Sequence, residues 1–473
     1  MHTPLLDLLG QCAIPQSRAL FVRALCDLAE KWQRADVAQA PDLFSDFIQW
    51  CTENRTAPAL MDAIARYHSE REMNRRIHRY VVARLGLDRN HGRVLAASLP
   101  KHYVRRLDMP YPPSNYYVAE SETIDGLWRH YFATQRQPDE RKQRQAPHLL
   151  QPEKLVQTVG PGESCVLIDA DDDSIVAVIL RGASGTEDDS SSGFLDWATT
   201  TIKDGLKNRR HIRKEDPGLM IQMGYTAGQI SVPCFNWVRN LVDPYALTPE
   251  QIASTDYANS CLFAAGWNII RSSLPHAVTD DWVAFLCKHG LPVMDAGVGM
   301  EGLTGNYSIQ FGDNTITFHD AELAPPTGML NWNYAWAIHH EHQPHGHAIQ
   351  WIISRSHGEA YGGHFYISAY GVRIINTSDT MIAWRPTDEH GTSLAQYSPN
   401  DPTPPFNQFG ICYCTSQRLA TVRRVYGNAL RKALGDDVAD VPFSKRKTAE
   451  DEAAAIAAEE FVQQLTAGVV FGH

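Results

Sequence analysis

The segment His339-His-Glu-His-Gln-Pro-His-Gly-His347 packs five histidines and one glutamate into nine residues. Imidazole nitrogen and carboxylate oxygen are donors for first-row transition metals. In an extended segment residues i and i+2 point the same way. His339 and Glu341 can therefore approach one cation from one side. His390 follows the apolar run Thr380–Trp384 and can add a third donor from a neighbouring strand. Two imidazoles and one carboxylate on one face of an octahedron leave three positions open, the arrangement of a non-haem Fe(II) oxygenase. The same spacing allows other registers. His340 with His342, joined by His390, makes a three-histidine site, and His345 with His347 makes a third pair. The competing reading is a polar, histidine-rich loop without metal. No thiolate adjoins the cluster, which argues against structural zinc there.

The elements that must position these residues are legible in the periodicity. Residues 1–95 read as helices, and Met109–Tyr117 breaks the pattern with three prolines. The polar stretch 135–150 is the expected domain boundary. Beyond residue 160 the period becomes two: SCVLID and SIVAVIL read as a hairpin around the acidic turn DADDD. Thr248-Pro-Glu-Gln251 is a capping box opening a helix to about Arg271, and a capped helix from Thr279 stops at Gly290. NYSIQF and TITF form a hairpin. AIQWIIS, GGHFYIS, GVRIIN, TMIAW and GICYCTS are short, evenly spaced strands, as in a barrel or jelly roll. From Ser416 the chain turns helical. The expected fold is α+β: a double-stranded β-helix (jelly-roll) barrel with supporting helices over 148–435, an α-helical region over 1–147 and a charged helical tail over 436–473.

Composition sets outer bounds. The 473 residues are 43% hydrophobic and 21% charged, enough for a large core. No apolar run is long enough to span a membrane. Nine cysteines without framework spacing point to a reducing compartment, nuclear or cytoplasmic. The 43 basic against 54 acidic residues give a net charge of −11, which is not the signature of a chain that coats nucleic acid. Two local stretches are basic: 71–106, and KDGLKNRRHIRK from Lys203 to Lys214. Either could track phosphates, or simply be a solvated face. No P-loop and no G-x-S-x-G elbow is present.

Taken in order, His339-His-Glu341, a strand, Gly362-Gly-x-Phe, Gly371-Val-x-Ile, an apolar strand and His390-Gly-Thr resemble the Fe(II)/2-oxoglutarate oxygenases, most of all fungal TET/JBP-like dioxygenases. The likeness covers about residues 300–420. It implies Fe(II) held by His339, Glu341 and His390, 2-oxoglutarate as cosubstrate, O2, and hydroxylation of a substrate C–H bond. It also implies a methylated base in DNA or RNA as substrate. A small-molecule oxygenase and an inactive binding barrel are the alternatives.

Two positions depart from the family pattern. The usual aspartate is Glu341, one methylene longer and still able to ligate. The arginine that forks onto the cosubstrate carboxylate is replaced at the matching position by Gln408, leaving Arg418 or Arg373 to take its place. Asn333, Tyr334, Trp336 and Trp351 are candidate substrate contacts, by hydrogen bonding or stacking. For the tryptophans, core packing is the competing reading.

Overall fold

The computed structural model describes residues 97–134, 147–184, 192–229, 233–298, 302–311 and 314–433. All of them belong to the second of two units, Tyr80–His473. The expected N-terminal helices up to residue 96 and the expected tail from residue 436 lie outside the described residues.

The architecture is mixed α+β. A nine-stranded sheet runs in the order β1 (Lys101–Val104), β5 (Cys165–Asp169), β6 (Ile175–Arg181), β15 (Thr380–Trp384), β12 (Ala348–Arg355), β17 (Gln408–Tyr413), β11 (Thr327–Trp332), β7 (Leu219–Gly228), β8 (Pro233–Trp237). A four-stranded sheet runs β16 (His390–Thr392), β13 (Phe365–Ile367), β14 (Val372–Ile374), β4 (Gln157–Val159). β9 (Thr304–Phe311) and β10 (Asn314–Glu322) form a hairpin, and β2 (Val118–Ala119) pairs with β3 (His148–Leu149). Five α-helices accompany them among the described residues: α1 (Glu122–Thr134), α2 (Ser192–Leu206), α3 (Pro249–Ser273), α4 (His276–His289) and α5 (Gln417–Ala433).

The two sheets share a core. Leu167, Ile179, Ile382 and Trp384 of the large sheet pack against Phe365, Ile367, Val372 and Ile374 of the small one. The other face of the large sheet meets helices: Trp351 stacks on Phe194 of α2, and Tyr413 meets Phe263 of α3 edge-on. Strands covered on both faces need no polar alternation, which is why Thr380–Trp384 is buried throughout. Along the chain β11, β12, β15 and β17 lie in the large sheet. Between them the chain visits the small one, at the His339 bridge, at β13–β14 and at β16.

Local sequence signals account for most boundaries. Thr248 closes its capping box with Gln251, and Gly290 ends α4 in the left-handed conformation. α4 begins at His276 behind Pro275, three residues ahead of the expected start, because proline supplies the entry. The acidic run is the turn between β5 and β6, with Asp173 at φ 57°. The expected boundary near residue 147 meets a core that begins earlier. β1 joins the large sheet, and Ile124, Trp128 and Phe132 of α1 pack with Ala335, Ala337 and Leu394.

Two buried histidines make this core acid-sensitive. His345 stacks on Trp282 at 3.6 Å, and burial pushes its pKa down to about 3. His364 accepts the Asn376 N–H at 2.9 Å on Nδ1, which places its proton on Nε2, 2.8 Å from the Glu359 carbonyl. Burial brings His364 to about 4. The unfolded chain takes up these protons from about pH 6.5 downward, while the folded chain resists until nearer 4. Stability present above pH 6.5 is thus lost as pH falls, by about 1.4 kcal/mol per pH unit for each group. Urea melts between pH 7 and 4.5 are expected to show this slope, and His345→Leu should flatten it by about one proton's worth. A slope identical in that variant would remove His345 from the account.

Candidate metal centre

His339 and His390 are brought together by backbone. The two residues form an isolated antiparallel bridge, His339 N–H donating to the His390 carbonyl at 2.9 Å and the reverse at 2.8 Å. Gly391 permits the approach. A Cβ there would sit 2.8 Å from the Trp336 carbonyl oxygen and 2.9 Å from an Ile338 methyl.

Each ring is oriented by its own chain. His339 Nδ1 lies 2.8 Å from the Ala337 carbonyl and His390 Nδ1 2.8 Å from the Asp388 carbonyl. A carbonyl only accepts, so both Nδ1 atoms carry a proton, and in the neutral ring Nε2 carries the lone pair. The ring centroids are 4.4 Å apart with planes 52° to each other. Imidazoles sharing one ion at right angles would have centroids about 4.5 Å apart, given metal–nitrogen bonds of about 2.1 Å. Burial holds His390 down to about 4, so it is the neutral, ligating form at ordinary pH. Its loop is clamped through the Asp388 carboxylate, which accepts from Arg385 Nε at 2.8 Å and also pairs with Arg106.

Glu341 lines the same cavity as the two histidines. Its backbone N–H donates to the Pro386 carbonyl at 2.8 Å, and its Oε1 accepts from Gln343 at 2.7 Å. Burial raises its pKa, against the opposing pull of Gln343 and the Arg213 charge. The three donor atoms are not gathered as tightly as a bound ion would hold them. Among the described residues, the three-member set with donor atoms all within 4.8 Å of one another is instead His102, Glu163 and Cys165. Closing His339, Glu341 and His390 on one ion requires their donor atoms to draw together. The donor types, two imidazoles and a carboxylate, suit Fe(II).

The cavity measures about 220 Å³. Met329, Cys412 and Gln350 are successive register partners across β11, β17 and β12 and form its floor. Arg213 stands at its wall, the guanidinium 3.8 Å above the Trp336 ring centre. Trp336 in turn stacks on His339 at 3.4 Å. A guanidinium, an indole and an imidazole thus form three layers. Tyr334 also lines the cavity and donates to Asp216 at 2.7 Å.

The other sequence candidates lie elsewhere. His340 and His342 are exposed, and their rings are 6.0 Å from each other. Trp351 is fully buried on the helix side of the sheet and donates to Asp379 at 2.9 Å. Asn333, at φ 51°, uses its amide to hold the Phe406 carbonyl and the Gln408 N–H. Gln408 accepts from Arg355 at 2.5 Å. Arg373 pairs with Glu120. Arg418 donates to the Gly228 and Gln229 carbonyls at 3.3 and 3.2 Å. None of these residues lines the cavity. The residues that sequence reading missed are Arg213, folded into a run read as a phosphate track, and Gln350 with Cys412. The one available signal was Gln350, a lone polar residue inside AIQWIIS.

No protein-family profile and no curated protein matches the chain. A solved structure described as NgTET1 in complex with 5mC DNA aligns with 56% of this chain and 80% of its own, at 8% identity and a TM-score of 0.33. An overlap this loose carries no argument about activity. No helix among the described residues is long and apolar enough to cross a membrane.

Replacing His339 or His390 by alanine is expected to lower Fe(II) retained after anaerobic loading and desalting by more than about tenfold. Gly391→Ala should also lower it in a chain that still folds, because the added methyl drives the bridge apart. Iron retention equal to the parent protein in the folded His390→Ala chain would rule this centre out.

Proposed function

We propose that the chain is a non-haem Fe(II)-dependent dioxygenase that uses 2-oxoglutarate to hydroxylate a substrate C–H bond. One observation carries the reading: His339 and His390, locked in a backbone bridge with each Nδ1 turned to its carbonyl partner, at the wall of a cavity. The passage of successive strands between two packed sheets supports a double-stranded β-helix as the frame. Fe(II), held by His339, His390 and Glu341, would supply oxygen activation. The protein's residues do the rest. Asp388 and Ala337 fix the imidazole tautomers. Phe365 and Trp384 keep the wall beside His390 apolar. Glu341, whose pKa burial raises, would hold the ion through its carboxylate.

Arg213 is the cation we assign to the cosubstrate carboxylate. It faces the cavity, and Trp336 holds its plane, so the fork is presented ready for two charge-assisted bonds. Arg418 and Arg373, the sequence candidates, are occupied by backbone carbonyls and by Glu120. Arg213→Gln is expected to raise the KM for 2-oxoglutarate at least about tenfold with iron content unchanged, in line with the loss of a charged hydrogen bond, whereas Arg418→Gln should leave it alone. The same KM in the Arg213→Gln chain would return the role to another residue.

For the substrate, a methylated nucleobase is what the sequence resemblance implies. A small molecule is favoured by how the run Lys203–Lys214 spends its charges. Arg209 is buried against Asp256 at 2.5 Å, Lys207 pairs with Asp204 at 2.6 Å, and Lys203 lies over Phe409. Binding of a methylated duplex at graded salt, with oxoacid turnover measured alongside, separates the two. A nucleic-acid enzyme should lose affinity by about 0.9 log units per log unit of salt for each phosphate it neutralises. Salt-independent or absent binding together with turnover selects the small molecule. No oxoacid turnover in the iron-loaded chain with either would leave a binding module.

A further inference from the structure

A second cluster of donors lies away from the cavity, where β1 joins β5 in parallel. His102 is opposite Leu167 in that ladder, on the face that Cys165 shares with Leu167. Glu163 enters from the turn before β5. One donor atom from each of His102, Glu163 and Cys165 lies within 4.8 Å of the other two. His102 Nε2 is buried and forms an ion-pair contact with Glu163 Oε1 at 2.8 Å, outside hydrogen-bond geometry.

The surroundings hold the cluster in place. Glu163 Oε2 accepts the Gly160 N–H at 3.1 Å. Arg181 donates to the Glu163 carbonyl at 3.1 Å and the Gly160 carbonyl at 2.8 Å, so the turn is braced while the carboxylate is left to face His102. Cys165 is fully buried, and His102 and Glu163 are about one-third exposed. Without a cation the sulfur is an ordinary thiol, pushed up to about 12 by burial and the Glu163 charge.

We propose that His102, Glu163 and Cys165 bind one divalent cation of the zinc class, with water as fourth ligand, and that this ion fastens the first described strand to the sheet. Thiolate with imidazole selects zinc or cobalt over magnesium or calcium. Tetrahedral bonds of about 2.0 to 2.3 Å need donors about 3.5 Å apart, within reach of this cluster by small side-chain turns. Binding replaces the S–H bond of Cys165 by a sulfur–metal bond and releases that proton to solvent, with no change of oxidation state. The donor set differs from that of His339, Glu341 and His390 by its sulfur, so the two sites can be told apart spectroscopically.

The test is titration of the full, chelator-treated chain with Co(II), followed by absorption. A near-ultraviolet thiolate-to-cobalt band should rise to one equivalent and vanish when Zn(II) is added. Cys165→Ser should abolish the band, Glu163→Gln and His102→Gln should weaken Co(II) binding at least about tenfold, and His390→Ala should leave it intact. Cys412 and Cys414 line the other cavity. A band that survives Cys165→Ser and disappears in Cys412→Ser would move the thiolate there and overturn the proposal, as would the absence of any band in the parent chain. Should Cys165→Ser not fold, partly exposed Glu163 carries the test: unchanged Co(II) affinity in folded Glu163→Gln overturns the site.

Discussion

Two backbone hydrogen bonds between His339 and His390 are the constraint on which the centre rests. They join a segment leaving β11 to the first residue of β16, two stretches far apart in sequence. Side-chain chemistry alone could not do this. An imidazole pair without a fixed backbone would pay rotamer entropy to converge. Here the backbone carries the separation, and each ring needs only its own carbonyl, two residues back, to settle its orientation. Gly391 is part of the same device, since the approach leaves no room for a methyl group.

Around this bridge the fold buries two networks of paired charges. Asp388 lies between Arg385 and Arg106, and Tyr370 donates to Asp169 at 2.5 Å beside them. On the other side Glu120 accepts from Tyr366 at 2.8 Å and Ser393 at 2.5 Å and pairs with Arg373. Such networks add little net stability compared with apolar packing, but removing one partner leaves a stranded charge. Their consequence here is positional. One holds the loop that carries the His390 carbonyl partner, and the other holds β16 to β13 through Ser393, which also accepts the His364 N–H at 2.8 Å.

The basic run Lys203–Lys214 shows how burial redirects a charge pattern. As a string it reads as a phosphate-binding face. In the fold Arg209 turns inward to Asp256 and Arg213 turns to Trp336 and the cavity. The same reversal affects the tryptophans near the histidine cluster. Trp336 joins the cavity wall, while Trp351 faces the helices. The two lie on different elements, and only the packing of those elements decides which face looks where.

Period-two strands from residue 165 onward, the capping box at Thr248, the stop at Gly290 and the β5–β6 turn were all readable from the chain, because each depends on neighbours within a few residues. So was the concentration of imidazole and carboxylate groups at 339–347. Which of those histidines face a common cavity was not readable, since His339, His340 and His342 differ only in the direction their strand presents them. Tertiary structure also decided that Arg213, rather than Arg418 or Arg373, lines the cavity of the two imidazoles, and that His102 meets Glu163 and Cys165. Each of these depends on pairings between segments tens to hundreds of residues apart. Local propensity does not encode such pairings; they are set by the burial of shared apolar faces and the exact register of the strands.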